Sequence, residues 1–139
     1  MELLYFADYG GAVGQDSNFD IKYCLINGTL PIELAGSLCK YFTGITINDT
    51  LTIYACTQYQ VQVYNGAVFS ELAGNVSSGG FADGTGSAAR FKNLSNLACD
   101  NAGNIYATDT SNQNIRKITP SGVVTTIAGN GSSALVNGK

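Results

Sequence analysis

GFADGTGSAARFKNLSNLACDNAGNIYATDTSNQNIRKITPSGVVTTIAG, residues 80–129, divides into strand-length segments separated by turn chemistry. Strands are expected near residues 95–100, 104–108, 113–118 and 122–128, because each segment is apolar-alternating and bounded by Asn, Gly, Ser or Asp. Asn101-Ala102-Gly103-Asn104 supplies a tight turn between the first two. In the third, Ile115 and Ile118 flank the basic pair Arg116-Lys117, whose charges are read as solvated.

Working outward, the same arrangement recurs. Residues 27–36 read NGTLPIELAG, residues 65–74 read NGAVFSELAG and residues 121–129 read SGVVTTIAG, so the Ala-Gly ends fall at Gly36, Gly74 and Gly129. The second interval is the longer one and contains an insertion. Upstream, Ile-Tyr-Ala stands at 53–55 and at 105–107, with Leu4-Tyr5-Phe6-Ala7 in the corresponding place. A fixed repeat decides the architecture before any single strand does. Three units are expected, about 1–36, 37–74 and 75–129, followed by a tail, 130–139. The second has strands near 44–48, 51–56, 60–64 and 67–73. The first keeps only its last three, near 3–7, 20–25 and 29–35, and lacks the inner one. Asn27-Gly28 and Asn65-Gly66 fit hairpin turns that need positive φ. The chain as a whole is expected to be all-β.

Composition agrees with that class. The chain has 139 residues, 45% of them apolar, with 17 Gly and only 2 Pro, which fits a globular protein of short strands. Seven basic residues against ten acidic ones give a net charge of −3, without the concentrated positive field that nucleic-acid binding requires. No apolar run reaches the roughly 20 residues of a membrane-spanning helix, and Met1-Glu2-Leu3-Leu4 carries no basic leader of the signal-peptide type. Neither nucleic acid nor membrane insertion is therefore expected. Four cysteines, Cys24, Cys39, Cys56 and Cys99, have no C-x-x-C spacing and no histidine beside them, so no metal site is expected from them. The first, third and fourth read as small buried hydrophobes, and Cys39 as exposed in a loop. Sequons beginning at Asn27, Asn48, Asn75, Asn93 and Asn130 follow from an Asn-, Ser- and Thr-rich composition.

Residues 80–129 resemble an NHL repeat with its lead-in loop: a DG pair, an Ala-x-Phe segment, D-x-x-GN-I-Y, a following Asp, N-x-x-IRKI as Asn112-Gln113-Asn114-Ile115-Arg116-Lys117-Ile118, and a closing TTIAG. Leu94 and Asn96 stand where that family has Pro and Gly. Residues 1–79 share only the spacing, the Ile-Tyr-Ala strand and the Ala-Gly ends. The resemblance implies a β-propeller with the first strand of each blade innermost. Three units would make half of a six-bladed ring, completed by a homodimer or other homo-oligomer, or else a piece of a longer propeller.

The resemblance does not imply one activity. Relatives that are metal-dependent lyases or lactonase-like enzymes hold their ions with histidines or clustered acids and amides. This chain contains no histidine, and no carboxylate pair recurs at inward strand positions, so catalysis and cofactors are not expected. The glycine-rich segment 79–86, GGFADGTG, lacks the Gly-Lys-Ser/Thr of a phosphate loop and the repeated glycine of a calcium nonapeptide, and Asp83 or Asp100 alone supplies too few ligands for calcium.

A binding module remains. In four-stranded units the connections after the second and fourth strands share one end, and there lie the long segments 8–19, 36–43 and 74–94. Variable connections on one end are how a rigid scaffold carries specificity. The candidate binding residues are Tyr9, Phe19, Tyr41, Tyr59, Phe81, Asp83, Arg90, Asp109 and Asn112, with Arg90 free to reach a partner. Aromatic and amide groups of this kind suit a protein or glycan ligand. The charge-poor, Asn-, Gly- and Tyr-rich composition favours a virion or cell-surface setting.

Overall fold

The computed structural model describes residues 3–9, 19–25, 32–33, 42–50, 52–65 and 68–132. Among them, every element apart from two single-turn 3-10 helices, Gly86–Ala88 and Thr110–Asn112, is a β-strand, and all strand pairs are antiparallel. The protein is all-β. No helix among the described residues is long and apolar enough to cross a membrane. Two compact units, Met1–Phe42 and Thr43–Lys139, make up the chain.

The first unit holds β1 (Leu3–Tyr9), β2 (Phe19–Leu25) and β3 (Ile32–Glu33), in that spatial order. Pairing of β1 with β2 runs from Leu3 opposite Leu25 to Tyr9 opposite Phe19. The expectation that residues 8–19 form a loop is therefore corrected at both ends. Aromatic residues favour a pleated ladder, and Tyr9 opposite Phe19 extends it by one pair beyond Asp8 and Asp20. Tyr41, Cys39 and the Asn27-Gly28 turn lie outside the described residues.

The second unit contains two sheets. β4 (Gly44–Ile47), β5 (Ile53–Cys56), β6 (Gln60–Tyr64) and β7 (Phe69–Gly74) form a meander in sequence order. β8 (Gly84–Thr85) precedes a second meander, β9 (Leu94–Cys99), β10 (Ile105–Asp109), β11 (Asn114–Ile118) and β12 (Val123–Ala128), and pairs with the outer edge of β12. The insertion 74–94 is thus more than the loop expected from sequence. It contributes a fifth strand, a 3-10 turn and a bridge between Ala82 and Arg90.

The same local chemistry shapes both meanders. Asn48 Oδ1 accepts the amides of Thr50 and Thr52 at 3.1 and 2.8 Å. In the equivalent turn Asp100 Oδ1 accepts those of Ala102 and Asn104 at 3.0 and 2.8 Å. Short side-chain acceptors of this kind fix a turn without further sequence requirements. The recurring Ala-Gly ends also have a cause. Gly74 and Gly129 have φ of +98° and +86°, and a Cβ on either would overlap the carbonyl oxygen of Tyr59 or Gln113 across the ladder. Both ladders carry a register shift at the same place, between Val61 and Gln62 and between Ile115 and Arg116.

The core lies between these two sheets. Tyr54, Cys56, Val61 and Ala73 of the first pack with Phe91, Leu94, Leu97, Ile105, Ala107, Ile118 and Val124 of the second. Fully burying side chains of this size contributes about 1.5–3 kcal/mol each. β4 and β9 approach closely: Thr43 Oγ1 donates to the Leu94 carbonyl at 2.7 Å, and a Cβ on Gly44 would sit 2.8 Å from Asn96 Cα. Cys56 is a fully buried thiol, as expected, whereas Cys99 is half-buried and donates to the Ile47 carbonyl at 3.1 Å.

Candidate functional site

Alternation along β11 places Asn114, Arg116 and Ile118 inward and leaves Ile115 and Lys117 half-buried. This corrects the reading of Arg116-Lys117 as a solvated pair: Arg116 is 0% exposed. A desolvated guanidinium needs partners for its donors. Nη1 contacts Asp109 Oδ2 at 3.0 Å and the Arg90 carbonyl at 2.9 Å, while Nη2 contacts the Ala82 carbonyl at 2.7 Å and Asp83 Oδ1 at 2.8 Å. Its planar faces meet the rings of Phe81 and Phe91 at 5.1 and 5.0 Å from their centroids. Arg116 thus joins the pairing of β8 with β12, the Asp83–Thr126 bonds and the Asn112–Gly80 bond in fastening segment 80–91 onto the second meander.

The acids proposed as binding residues serve this network. Asp109, fully buried, accepts the Lys92 amide on Oδ1 at 2.8 Å and Asn112 Nδ2 on Oδ2 at 2.8 Å. Asp83 accepts the amide and hydroxyl of Thr126 at 3.1 and 2.9 Å. Partial burial pushes the Asp83 carboxyl up, but the hydrogen bonds from Thr126 and Arg116 outweigh it and hold the group below the usual carboxylate range. Asp100, weighed above as a calcium ligand, is likewise engaged by its turn. Hydrogen bonding from Asn104, opposed by slight desolvation and reinforced by Tyr106 and Ala102, lowers its pKa. Arg90 is not free to reach a partner. Its guanidinium folds back onto the carbonyls of Ser87 and Ala89, so that expectation is corrected as well.

What these contacts build is a cleft of about 300 Å³ at the end of the sheet where the connections after β10 and β12 meet the insertion. Its lining comprises Phe81, Ser111, Asn112, Asn114, Gly129, Asn130 and Gly131. Phe81 is 60% exposed and Asn114 only 7%. Among the described residues Asn114 Oδ1 has no hydrogen-bond partner. The corresponding amide in the first meander, Gln60, is satisfied on both atoms: Nε2 donates to Glu71 Oε2 at 2.8 Å and Oε1 accepts Gln62 Nε2 at 2.7 Å.

Of the residues singled out from sequence, Phe81 and Asn112 line the cleft, and Asp83 and Asp109 stand behind it. Tyr59 is half-buried in the first meander, its ring so close to Gly79 that a Cβ there would lie 2.7 Å from Cε1. Tyr9 and Phe19 are strand residues of the first unit. Ser111, Asn130 and the organising role of Arg116 were not anticipated, and Asn114 was recognisable only as part of the repeat pattern after the second strand. The available signal was an amide and a guanidinium at two inward positions of an alternating strand.

No protein-family model matches the chain, and no curated protein matches it in sequence. Among solved structures it is similar to an auxiliary nutrient binding protein from Bacteroides thetaiotaomicron VPI-5482, with a TM-score of 0.66 and 20% identity, over 91% of this chain and 33% of that one. The chain thus spans about a third of that protein's length. The likeness is one of fold.

Proposed function

We propose that the chain is a non-catalytic recognition module built of propeller-type blades, with its ligand seated in the cleft between Phe81 and Asn114. The observation that carries this reading is the state of the polar groups around the cleft. Asp83, Asp109 and the two terminal nitrogens of Arg116 are engaged with one another, while two buried groups, Arg116 Nε and the Asn114 carbonyl at the cleft, have no partner among the described residues. Buried polar atoms without partners are uncommon in folded proteins and call for an explanation. A nutrient-binding role for the structural neighbour is in keeping with this reading. Enzymatic readings, a metal-dependent lyase or lactonase-like propeller, find less support, since the chain has no histidine and Asp83, Asp100 and Asp109 are engaged in a turn or ion pairs. The NHL-like pattern of residues 80–129 belongs to the same proposal: its Asp109 and Arg116 are the pair that holds the lead-in loop.

Capture of glycans or peptides by the full chain, compared with Phe81→Ala, tests the reading. Selective capture that the substitution weakens supports it, and no capture of either class, or capture indifferent to Phe81, overturns it.

Assembly follows from the repeat. The face of β4–β7 bearing Tyr54, Val61 and Ala73 is buried by the second meander, but the equivalent Tyr106, Ile115 and Ala128 are half-buried or exposed, beside Ile127 at 50% exposure. A sheet of the same kind fits that face, and a second copy of the chain would supply it, completing a ring within the roughly four to eight blades usual for propellers. Light scattering should report a dimer that Ile127→Glu dissociates. A folded monomer at high concentration would contradict this.

A further inference from the structure

We infer that the cleft takes a neutral, polyhydroxylated ligand: a single pyranose-type sugar residue, with one hydroxyl donating to Asn114 Oδ1 and a C–H face against the ring of Phe81. The inference rests on the recognition role proposed above and adds the chemical class of the ligand.

Charge decides the first part. None of the residues lining the cleft is charged. The ions directly behind it, Arg116 with Asp109 and Asp83, are paired at 2.8 to 3.0 Å, so neither an anion nor a cation finds an uncommitted counter-charge there. Hydrogen-bonding capacity decides the second. Ser111, Asn112, Asn114 and Asn130 bring hydroxyl and amide groups to the cleft, and Asn114 Oδ1 requires a donor. In the first meander the corresponding amide is satisfied from within, by Glu71 and Gln62. There the donor to Gln60 Oε1 is Gln62; here Arg116 stands in that place, with Nη1 and Nη2 committed to Asp109, Asp83 and two carbonyls and with Nε, like Asn114 Oδ1, without a partner among the described residues. A sugar hydroxyl brought in through the cleft, which Asn114 lines, would supply that donor.

Shape decides the third. At about 300 Å³ the cleft is at the lower bound for small-molecule sites, which suits one ring rather than a folded peptide segment. Phe81 offers an aromatic surface that is 60% exposed yet anchored from behind by the Arg116 guanidinium at 5.1 Å. An apolar platform beside a few placed polar groups is the usual composition of such sites.

The test is titration of the isotope-labelled full chain with the methyl glycosides of glucose, galactose, mannose and N-acetylglucosamine, with glucuronate and a neutral tripeptide in parallel. At least one neutral glycoside is expected to bind saturably, with a Kd near the millimolar range and amide shifts at Ser111 and Asn130. Phe81→Ala should weaken it about tenfold. Asn114→Ala should do the same, because it removes an acceptor that has no partner among the described residues. If neutral glycosides leave the cleft unperturbed, or if both variants bind as the parent does, the sugar assignment is wrong. Tripeptide binding at the cleft would refute the sugar class while preserving the recognition role. Failure of every probe, together with failure of the capture experiment, would remove both.

Discussion

Replacing Arg116 with Met probes the centre of the structure. The side chain is 0% exposed and so is Asp109, its partner at 3.0 Å. Met fills much of the same volume but leaves Asp109 as a buried carboxylate without its counter-ion, a loss that costs about 3–5 kcal/mol in comparable settings. The carbonyls of Arg90 and Ala82 lose their donors too. The figure for removing one partner of a buried pair already includes groups it leaves unpaired, so these bonds, each worth a net of about 1 kcal/mol, are not added to it. A loss near 4 kcal/mol is a large share of the roughly 5–15 kcal/mol by which domains are stable. With a urea m-value of about 2 kcal/mol per M, the unfolding midpoint read by far-UV circular dichroism should fall by about 2 M. The second substitution Asp109→Asn removes the stranded charge, so Arg116→Met/Asp109→Asn should recover part of the loss, and the cycle should report coupling between the two positions. An Arg116→Met midpoint indistinguishable from the parent, or purely additive effects, would mean that this ion pair does not hold the insertion to the sheet.

Gly129→Ala should destabilise by about 1–3 kcal/mol in the same assay, because φ is +86° and the added Cβ would approach Asn114 Cα to 2.6 Å. Gly74→Ala, at the matching position, should behave alike. Asp100 has a folded pKa below its unfolded value, so its contribution is present above the unfolded carboxylate's pKa of about 4 and is lost as pH falls through the lowered one. Asp100→Asn should therefore flatten the acid limb of the stability profile, and an unchanged limb would contradict the turn assignment. Burial, against weaker hydrogen bonds from Thr43 and Gly44, pushes the Cys56 thiol up to about 11. Its contribution is complete below the unfolded thiol's pKa of about 8.5 and is lost as pH rises through the folded value. Iodoacetamide at pH 8 should accordingly modify Cys56 only after denaturant is added; rapid native-state modification would place the thiol at the surface.

Repetition made the fold legible. The Ala-Gly ends at Gly74 and Gly129 mark a point where backbone geometry admits no side chain, and Asn48 and Asp100 mark turns closed by their own side chains, so local chemistry alone sets these positions. The site was less legible. Phe81 was recognisable as a residue of a long connection and Asn112 as part of the repeat pattern, but Arg90 and Arg116 exchanged roles relative to expectation. Charge on an alternating strand ordinarily faces water, and the reversal depends on Asp83 and Asp109 arriving from distant parts of the sequence. Asn114 was legible as part of the repeat, but its unpaired carbonyl was not: the donor that Gln62 gives to Gln60 Oε1 has no counterpart among the described residues, since Arg116 stands in that place.

Amide chemical shifts of the full chain, followed during titration with the tightest ligand from the capture experiment, test the recognition reading most directly. The account predicts the largest shifts at Phe81, Ser111, Asn114 and Asn130, with little change in the turns at Asn65 and Asn101 on the other end of the sheets. Shifts concentrated at those turns instead would contradict it.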